Sequence, residues 1–259
     1  MKKLMVSALL LLSATTGMAQ EGKGWFITPR VGMNVATMTG TDYYGYYENA
    51  KDKIGLSMGA DVEYRFSRLI GISTGLMYAN IGRKEEIIYT QGGDDEDLSL
   101  TWNNSRYCLE YLQIPLLVNI HPVKGLTLKT GLQVDFLIGA HRKAHQTGWY
   151  DIADPDQTDP HFIYEWSQVP KKRIDVDENR SIGLLRYTNK TELVVPLGVS
   201  YEYRNIVLDA SYHFGLSNVF SKDLSYLSWA LPDGYVTKEY KERTTNRYFQ
   251  VTLGYRFGL

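Results

Sequence analysis

The chain has 259 residues, with 28 basic and 29 acidic side chains and a formal net charge of -1. So even a balance excludes the basic stripe that nucleic-acid binding needs, and a single cysteine, Cys108, excludes an internal disulfide or a cysteine-cluster metal site. With 20 tyrosines and 23 glycines against 8 prolines, the composition points to long strands and away from a helical enzyme.

The first residues read as an export signal. Lys2 and Lys3 precede an apolar run from Leu4 to Leu12, and Gly17 and Ala19 supply small residues for cleavage before Gln20. The run is too short for a spanning helix, which takes about 20 apolar residues. No cysteine follows it to carry a lipid. Residues 1–19 are thus expected to be a signal peptide and 20–259 a single domain. Without Lys2 and Lys3 the mature chain keeps 26 basic and 29 acidic residues, a net of -3.

The mean hydropathy of -0.29 resembles that of a soluble protein. The alternation says otherwise. In 25–36, Trp25, Ile27, Val31, Met33 and Val35 share one face, and Thr28, Arg30 and Asn34 the other. The segment 54–66 sets Ile54, Leu56, Met58, Ala60, Val62, Tyr64 and Phe66 against Ser57, Asp61, Glu63 and Arg65. Segment 69–82 sets Ile70, Ile72, Leu76 and Tyr78 against Gly71, Ser73, Gly75 and Ala79, and 107–120 sets Leu112, Ile114, Leu116, Val118 and Ile120 against Tyr111, Gln113 and Asn119. In 126–140 the even positions, Leu126 through Ile138 and Ala140, are largely apolar, and the odd ones include Lys129, Gln133 and Asp135. Segment 191–203 sets Leu193, Val195, Leu197, Val199, Tyr201 and Tyr203 against Glu192, Ser200 and Glu202. Segment 206–217 sets Ile206, Leu208, Ala210, Tyr212, Phe214 and Leu216 against Asp209, Ser211 and His213. The last, 247–257, sets Phe249, Val251, Leu253, Tyr255 and Phe257 against Gln250, Thr252 and Arg256.

Eight such segments, each about the length that crosses a bilayer as a tilted strand, predict an all-β, eight-stranded antiparallel transmembrane barrel. The connections agree. Ser67-Arg68, His121 to Gly125 and Arg204-Asn205 are short, and the intervening stretches 40–53, 83–106, 141–190 and 218–246 are long. Short periplasmic turns and long extracellular loops characterise outer-membrane barrels. A soluble lipocalin-like barrel would turn its apolar face inward. Aromatic residues gathered at the short-turn ends, such as Tyr64, Phe66, Tyr201, Tyr203, Tyr255 and Phe257, favour an interfacial girdle instead.

The run Tyr111-Leu112-Gln113-Ile114-Pro115-Leu116-Leu117 resembles the YLEIPLLLK stretch of the PorT-like outer-membrane β-barrel family common in Bacteroidota, with Gln113 where many relatives have Glu. Tyr212-His213-Phe214-Gly215-Leu216-Ser217-Asn218 is similar to its Y-x-x-GL-x-N segment, and Phe249 to Phe257 to its last strand. The resemblance implies the fold and an outer-membrane location, with protein secretion as the role of its best-known members. It carries no catalytic residue over.

The polar faces then fill the interior with Arg30, Asp61, Glu63, Arg65, Lys129, Asp135, Glu192, Glu202, Asp209, His213 and Arg256. Both signs are present, so charge pairing across the interior is expected, since lone buried charges are costly. Eight strands enclose just enough space for side chains. A filled interior is therefore the leading expectation, a narrow small-solute channel the alternative.

Ser211 and His213 share a face with Asp209, a set that could serve a lipid hydrolase. Their strand spacing of roughly 6–7 Å argues against direct contact. His141 and His145 lack an obvious third metal ligand. The acidic run Gly92 to Asp97 and Asp151, Asp154, Asp156 and Asp159 fit no EF-hand spacing. Hence no catalytic residue, metal or cofactor is expected, and Cys108 reads as structural.

The loop 141–190 carries Trp149, Tyr150, Phe162, Tyr164 and Trp166 ahead of Lys171-Lys172-Arg173. It suggests strands extending beyond the membrane or a contact surface. The expected function is that of a non-enzymatic barrel engaging a protein partner through its extracellular loops or periplasmic turns, with outer-membrane lipid around the wall.

Overall fold

The computed structural model describes residues 23–39, 50–92, 98–153, 171–221 and 244–259. The expected leader, 1–19, lies outside them, as do most of the acidic run at 92–97, Asp154, Asp156, Asp159, Phe162, Tyr164 and Trp166.

The strands are β1 (Gly24–Thr39), β2 (Ala50–Arg65), β3 (Ile70–Ile81), β4 (Arg83–Gly92), β5 (Leu98–Val123), β6 (Leu126–Ala153), β7 (Lys171–Gly183), β8 (Thr191–Tyr203), β9 (Ile206–Gly215), β10 (Thr245–Tyr255) and β11 (Phe257–Gly258). The wall is an eight-stranded antiparallel barrel in the order β1, β2, β3, β5, β6, β8, β9, β10. It closes where β10 returns to β1, from Arg30 opposite Gly254 to Thr39 opposite Thr245. β11 continues β10 and β4 continues β3, so they are extensions of wall strands.

Each expected segment is a wall strand, and its apolar face points outward. Ile54 is 65% exposed, Leu116 61%, Leu197 50% and Leu253 55%, whereas Asn34, Ser57 and Asp135 on the opposite face are fully buried. A soluble barrel is thereby excluded, because exposed apolar rows right around a wall have no favourable solvent but lipid.

Two of the long connections are partly strand, and for 141–190 this is the reading of strands extending beyond the membrane. β4 and the start of β5 occupy much of 83–106, and the end of β6 pairs with β7 from His141 opposite Gly183 to Ala153 opposite Lys171. Beyond the membrane both faces of a strand meet water, so the alternation fades while the backbone ladder continues.

One side chain sits on the face opposite to that expected. Ala140 is only 4% exposed and lies inside. Glu110 pairs with Gly139 and Tyr111 with Leu137, leaving Ile138 as an extra residue on β6. Such a bulge reverses the alternation beyond it, and Arg142, Ala144 and Gln146 are accordingly buried.

Local geometry explains the turns. Tyr203 pairs with Ile206 around a two-residue link in which Arg204 and Asn205 both have positive φ, 48° and 70°. Those angles define the type I′ turn that suits strand twist. Where β3 passes into β4, Gly82 has φ of 139°, and a Cβ there would lie 2.1 Å from the Tyr107 carbonyl oxygen. Only glycine fits.

Candidate functional site: the barrel interior

Toward the short turns the interior is a charge network. Arg30 pairs with Asp61 and reaches Asp209 at 3.4 Å, and Lys129 meets Asp209 at 2.5 Å. Arg256 binds Glu63 at 2.9 Å and also pairs with Glu202, while Arg65 lies 3.4 and 3.5 Å from the same two carboxylates. Each of these residues sits on a different wall strand from at least one partner, so the network ties the wall together across the interior. Paired charges offset a desolvation cost that a lone ion could not.

In the middle the side chains form a hydrogen-bonded cluster of amides, hydroxyls and two carboxyl groups. The Gln113 amide donates to Asp135 at 2.9 Å and to the Tyr248 hydroxyl at 2.6 Å, and the Gln133 amide donates to the same two groups at 2.8 and 2.9 Å. The Asn246 amide donates to Glu192 at 2.7 Å. Asp135 and Glu192 face each other across β6 and β8, apart from the arginines that neutralise the other acids.

His213 stacks on Tyr248 with ring centroids 4.3 Å apart and planes 11° from parallel. Contrary to the spacing argument, Ser211 Oγ and His213 Nε2 are 2.9 Å apart. Side chains on one face lean along the strand and close a gap that the backbone leaves open. No relay forms, however. Asp209 is engaged by Lys129 and Arg30, and His213 Nδ1 has no partner. A base without an orienting acid, buried at mid-wall, does not make a triad.

Toward the long loops the interior holds an apolar cluster, beside buried polar side chains that include Lys53, Arg142 and Gln146. Ala36, Met38, Ala79, Ile81, Leu109, Tyr111, Ala140 and Tyr248 pack with Leu184 and Val219. The last two come from segments that leave the wall after β7 and β9 and fold back over its mouth. The Leu184 amide donates to the Ala140 carbonyl at 2.8 Å, the Asn189 amide to Val219 and the Val219 amide to Thr244, both at 2.8 Å. Tyr107, Leu137, Tyr187 and Phe220 pack against the cluster. Two voids, of about 10 and 30 Å³, remain lower down among the polar side chains. Each has room for a water or two.

Several interior residues stood outside the expected set. His121 bonds Glu63 at 2.7 Å and Thr127 at 2.9 Å. It opens a turn, yet the parity of Gln113 and Asn119 reaches it. Tyr248 obeys the parity of Gln250 and Thr252 in the same way. Lys53, just before its segment, is buried against Asn80 and the Ile81 carbonyl. Beyond the barrel, Arg173 lies 3.6 Å above the Trp149 ring and 3.2 Å from Asp151, and His145 contacts Asp177 at 3.2 Å. Among the described residues, no group of three His, Cys, Asp or Glu side chains has metal-binding geometry.

A closed wall, apolar outside and polar or plugged inside, defines an integral membrane β-barrel. The chain belongs to the family described as outer membrane protein beta-barrel domain, whose profile matches residues 18–221. The outer membrane is therefore where this barrel resides. No curated protein matches the chain.

Similar solved structures include Ail of Yersinia pestis, at 14% identity over 91% of this chain and 99% of that one, with a TM-score of 0.41. Others are OprG of Pseudomonas aeruginosa, at 12% over 93% and 100% with a TM-score of 0.39, and Neisserial surface protein A, at 11% over 93% and 100% with a TM-score of 0.35.

Proposed function

We propose that this barrel is a non-enzymatic interaction module that works through its loops or rim, in envelope assembly, protein secretion or adhesion. One observation carries the reading. The interior is packed with the barrel's own side chains, while β4 to β7 project a sheet beyond it. A plugged interior suits an anchor better than a conduit, and a projecting sheet with aromatic and charged side chains suits contact with a protein. The resemblance of Tyr111 to Leu117 and Tyr212 to Asn218 to PorT-like barrels brings secretion into that range without singling it out. Residues 1–19 act as a cleaved leader in this reading, and N-terminal sequencing of the membrane form should begin at Gln20.

The test is co-purification from gently solubilised outer membranes, with a tag at the mature N-terminus. Gln146 and Glu178 are cross-strand partners, so deleting 147–177 shortens the projecting hairpin without opening the wall. A stoichiometric partner lost on deletion is the expected result. A partner retained after it would move the contact to the periplasmic turns, and a barrel that purifies alone from several mild detergents would overturn the reading. In planar bilayers the protein should give no stable conductance steps; steady steps would favour the small-solute channel.

A further inference from the structure

The two ends of the barrel differ in the sign of their exposed charge. At the short-turn end the exposed charged side chains among the described residues are Lys23, Arg68, Lys124 and Arg204, all cationic. The acids there, Glu63 and Glu202, point inward and are engaged by Arg256 and Arg65. The opposite end shows both signs, with Asp175, Asp177 and Glu178 beside Lys171 and Lys172 on β7. The net charge of the chain is -1, so the single sign of these described side chains is not an average property.

Position supplies the second observation. Lys23 precedes β1, Arg68 lies between β2 and β3, Lys124 between β5 and β6, and Arg204 between β8 and β9. With the wall order β1, β2, β3, β5, β6, β8, β9, β10, the four cations are spread around the whole circumference. A protein partner docks on one side; a ring matches something that surrounds the barrel.

Depth supplies the third. The cations adjoin exposed apolar side chains on the same turns: Leu69 is 50% exposed, Val123 61% and Tyr203 60%. The aromatic girdle lies immediately beside them, with Trp25 4.8 Å from Tyr64 and Tyr64 4.9 Å from Phe66. Apolar turn tips next to aromatic rings sit at headgroup level, and long cationic side chains there reach the phosphates.

We propose that this rim is a collar for anionic phospholipid headgroups of the periplasmic leaflet, one cation at each turn contacting the phosphate of a surrounding lipid. A single basic residue near an anionic surface favours the anionic lipid by about fivefold, an effect that weakens with ionic strength.

The test measures how strongly spin-labelled phosphatidylglycerol and phosphatidylcholine associate with the folded barrel in phosphatidylcholine vesicles, by electron paramagnetic resonance. The wild type should select phosphatidylglycerol several-fold, with selection falling as salt rises. Arg68→Gln/Lys124→Gln/Arg204→Gln should cut the selection severalfold, leaving only what Lys23 contributes. These side chains are at turn tips, so the barrel should still fold. As a check on folding, Arg68→Lys/Arg204→Lys should keep the selection, because it keeps the charge. The 147–177 deletion should keep it too, which separates this collar from the projecting sheet. Equal selection by the wild type and the triple glutamine variant would overturn the proposal. So would a wild type that shows no lipid preference but sediments with cell-wall polymer in a charge-dependent way.

Discussion

In the lower half of the interior Arg30, Asp61, Glu63, Lys129, Asp209 and Arg256 hold one another; in the upper half Met38, Ile81, Leu109 and Tyr111 pack against Leu184 and Val219. The same wall encloses both. The charged half is built only from wall strands and the short turns between them, whose register sets which side chains face one another. The apolar half also takes in segments that fold back from beyond the wall. Ion pairs need exact geometry to offset desolvation, whereas apolar burial is non-directional and tolerates a less sharply placed partner. Ion pairing across the interior is thus concentrated in the half built from wall strands and short turns, although the upper half keeps local polar contacts such as Arg142 with Ser105 at 2.7 Å.

Substitutions can break that contrast. Arg30→Met should cost most, roughly 3–5 kcal/mol, because it strands the Asp61 carboxylate in the interior. Arg30→Met/Asp61→Asn should recover much of the loss, as read from urea unfolding in detergent. In the apolar half, Leu109→Ala should cost about 2–5 kcal/mol through its cavity, and no partner substitution of charge should rescue it. On the outer face, Leu197→Arg should lose about 2–4 kcal/mol in bilayers. The penalty should shrink in short-chain detergent, where water lies nearer.

Gly82→Ala tests the junction of β3 and β4. With φ at 139° and a carbonyl oxygen 2.1 Å from the new Cβ, a loss of about 1–3 kcal/mol is expected. It should be accompanied by faster hydrogen exchange in β4 than in β3. The smallest effect belongs to Ser211→Ala, which removes one hydrogen bond to His213 and should cost about 0.5–1.5 kcal/mol. Its lipid A should be indistinguishable by mass from that of the wild type; a change would revive the hydrolase reading.

Much of the wall was legible because each lipid-facing strand must alternate. Leu193, Leu197 and Tyr201 against Glu192, Ser200 and Glu202 announce both the strand and its orientation. Legibility failed where the lipid constraint ended or the ladder slipped. The bounds of β7 were not legible because Asp175, Asp177, Glu178 and Arg180 leave it only a short apolar alternation, Ile174 and Val176, although its backbone pairs with β6 throughout. Ala140 reads as lipid-facing because nothing in 126–140 marks Ile138 as the extra residue; the bulge arises from β6 meeting Glu110 and Tyr111 on β5. His121 was one step beyond the segment whose parity places it inside, and Tyr248 lay within 247–257 on the polar parity of Gln250 and Thr252.

The period of two, the sign of each face and the short-long rhythm of connections are local properties, and the sequence by itself determined them. It therefore determined a lipid-facing barrel with polar side chains inside. Which interior residues meet is a different matter. Arg30 reaches Asp209 across 179 positions of chain because β1, β10 and β9 lie side by side in the closed wall. Gln113 and Gln133 converge on Tyr248 from across the interior, and Ser211 touches His213 by a lean that spacing alone denies. Only the tertiary structure decided these contacts, because barrel closure and stagger are properties of all eight strands together.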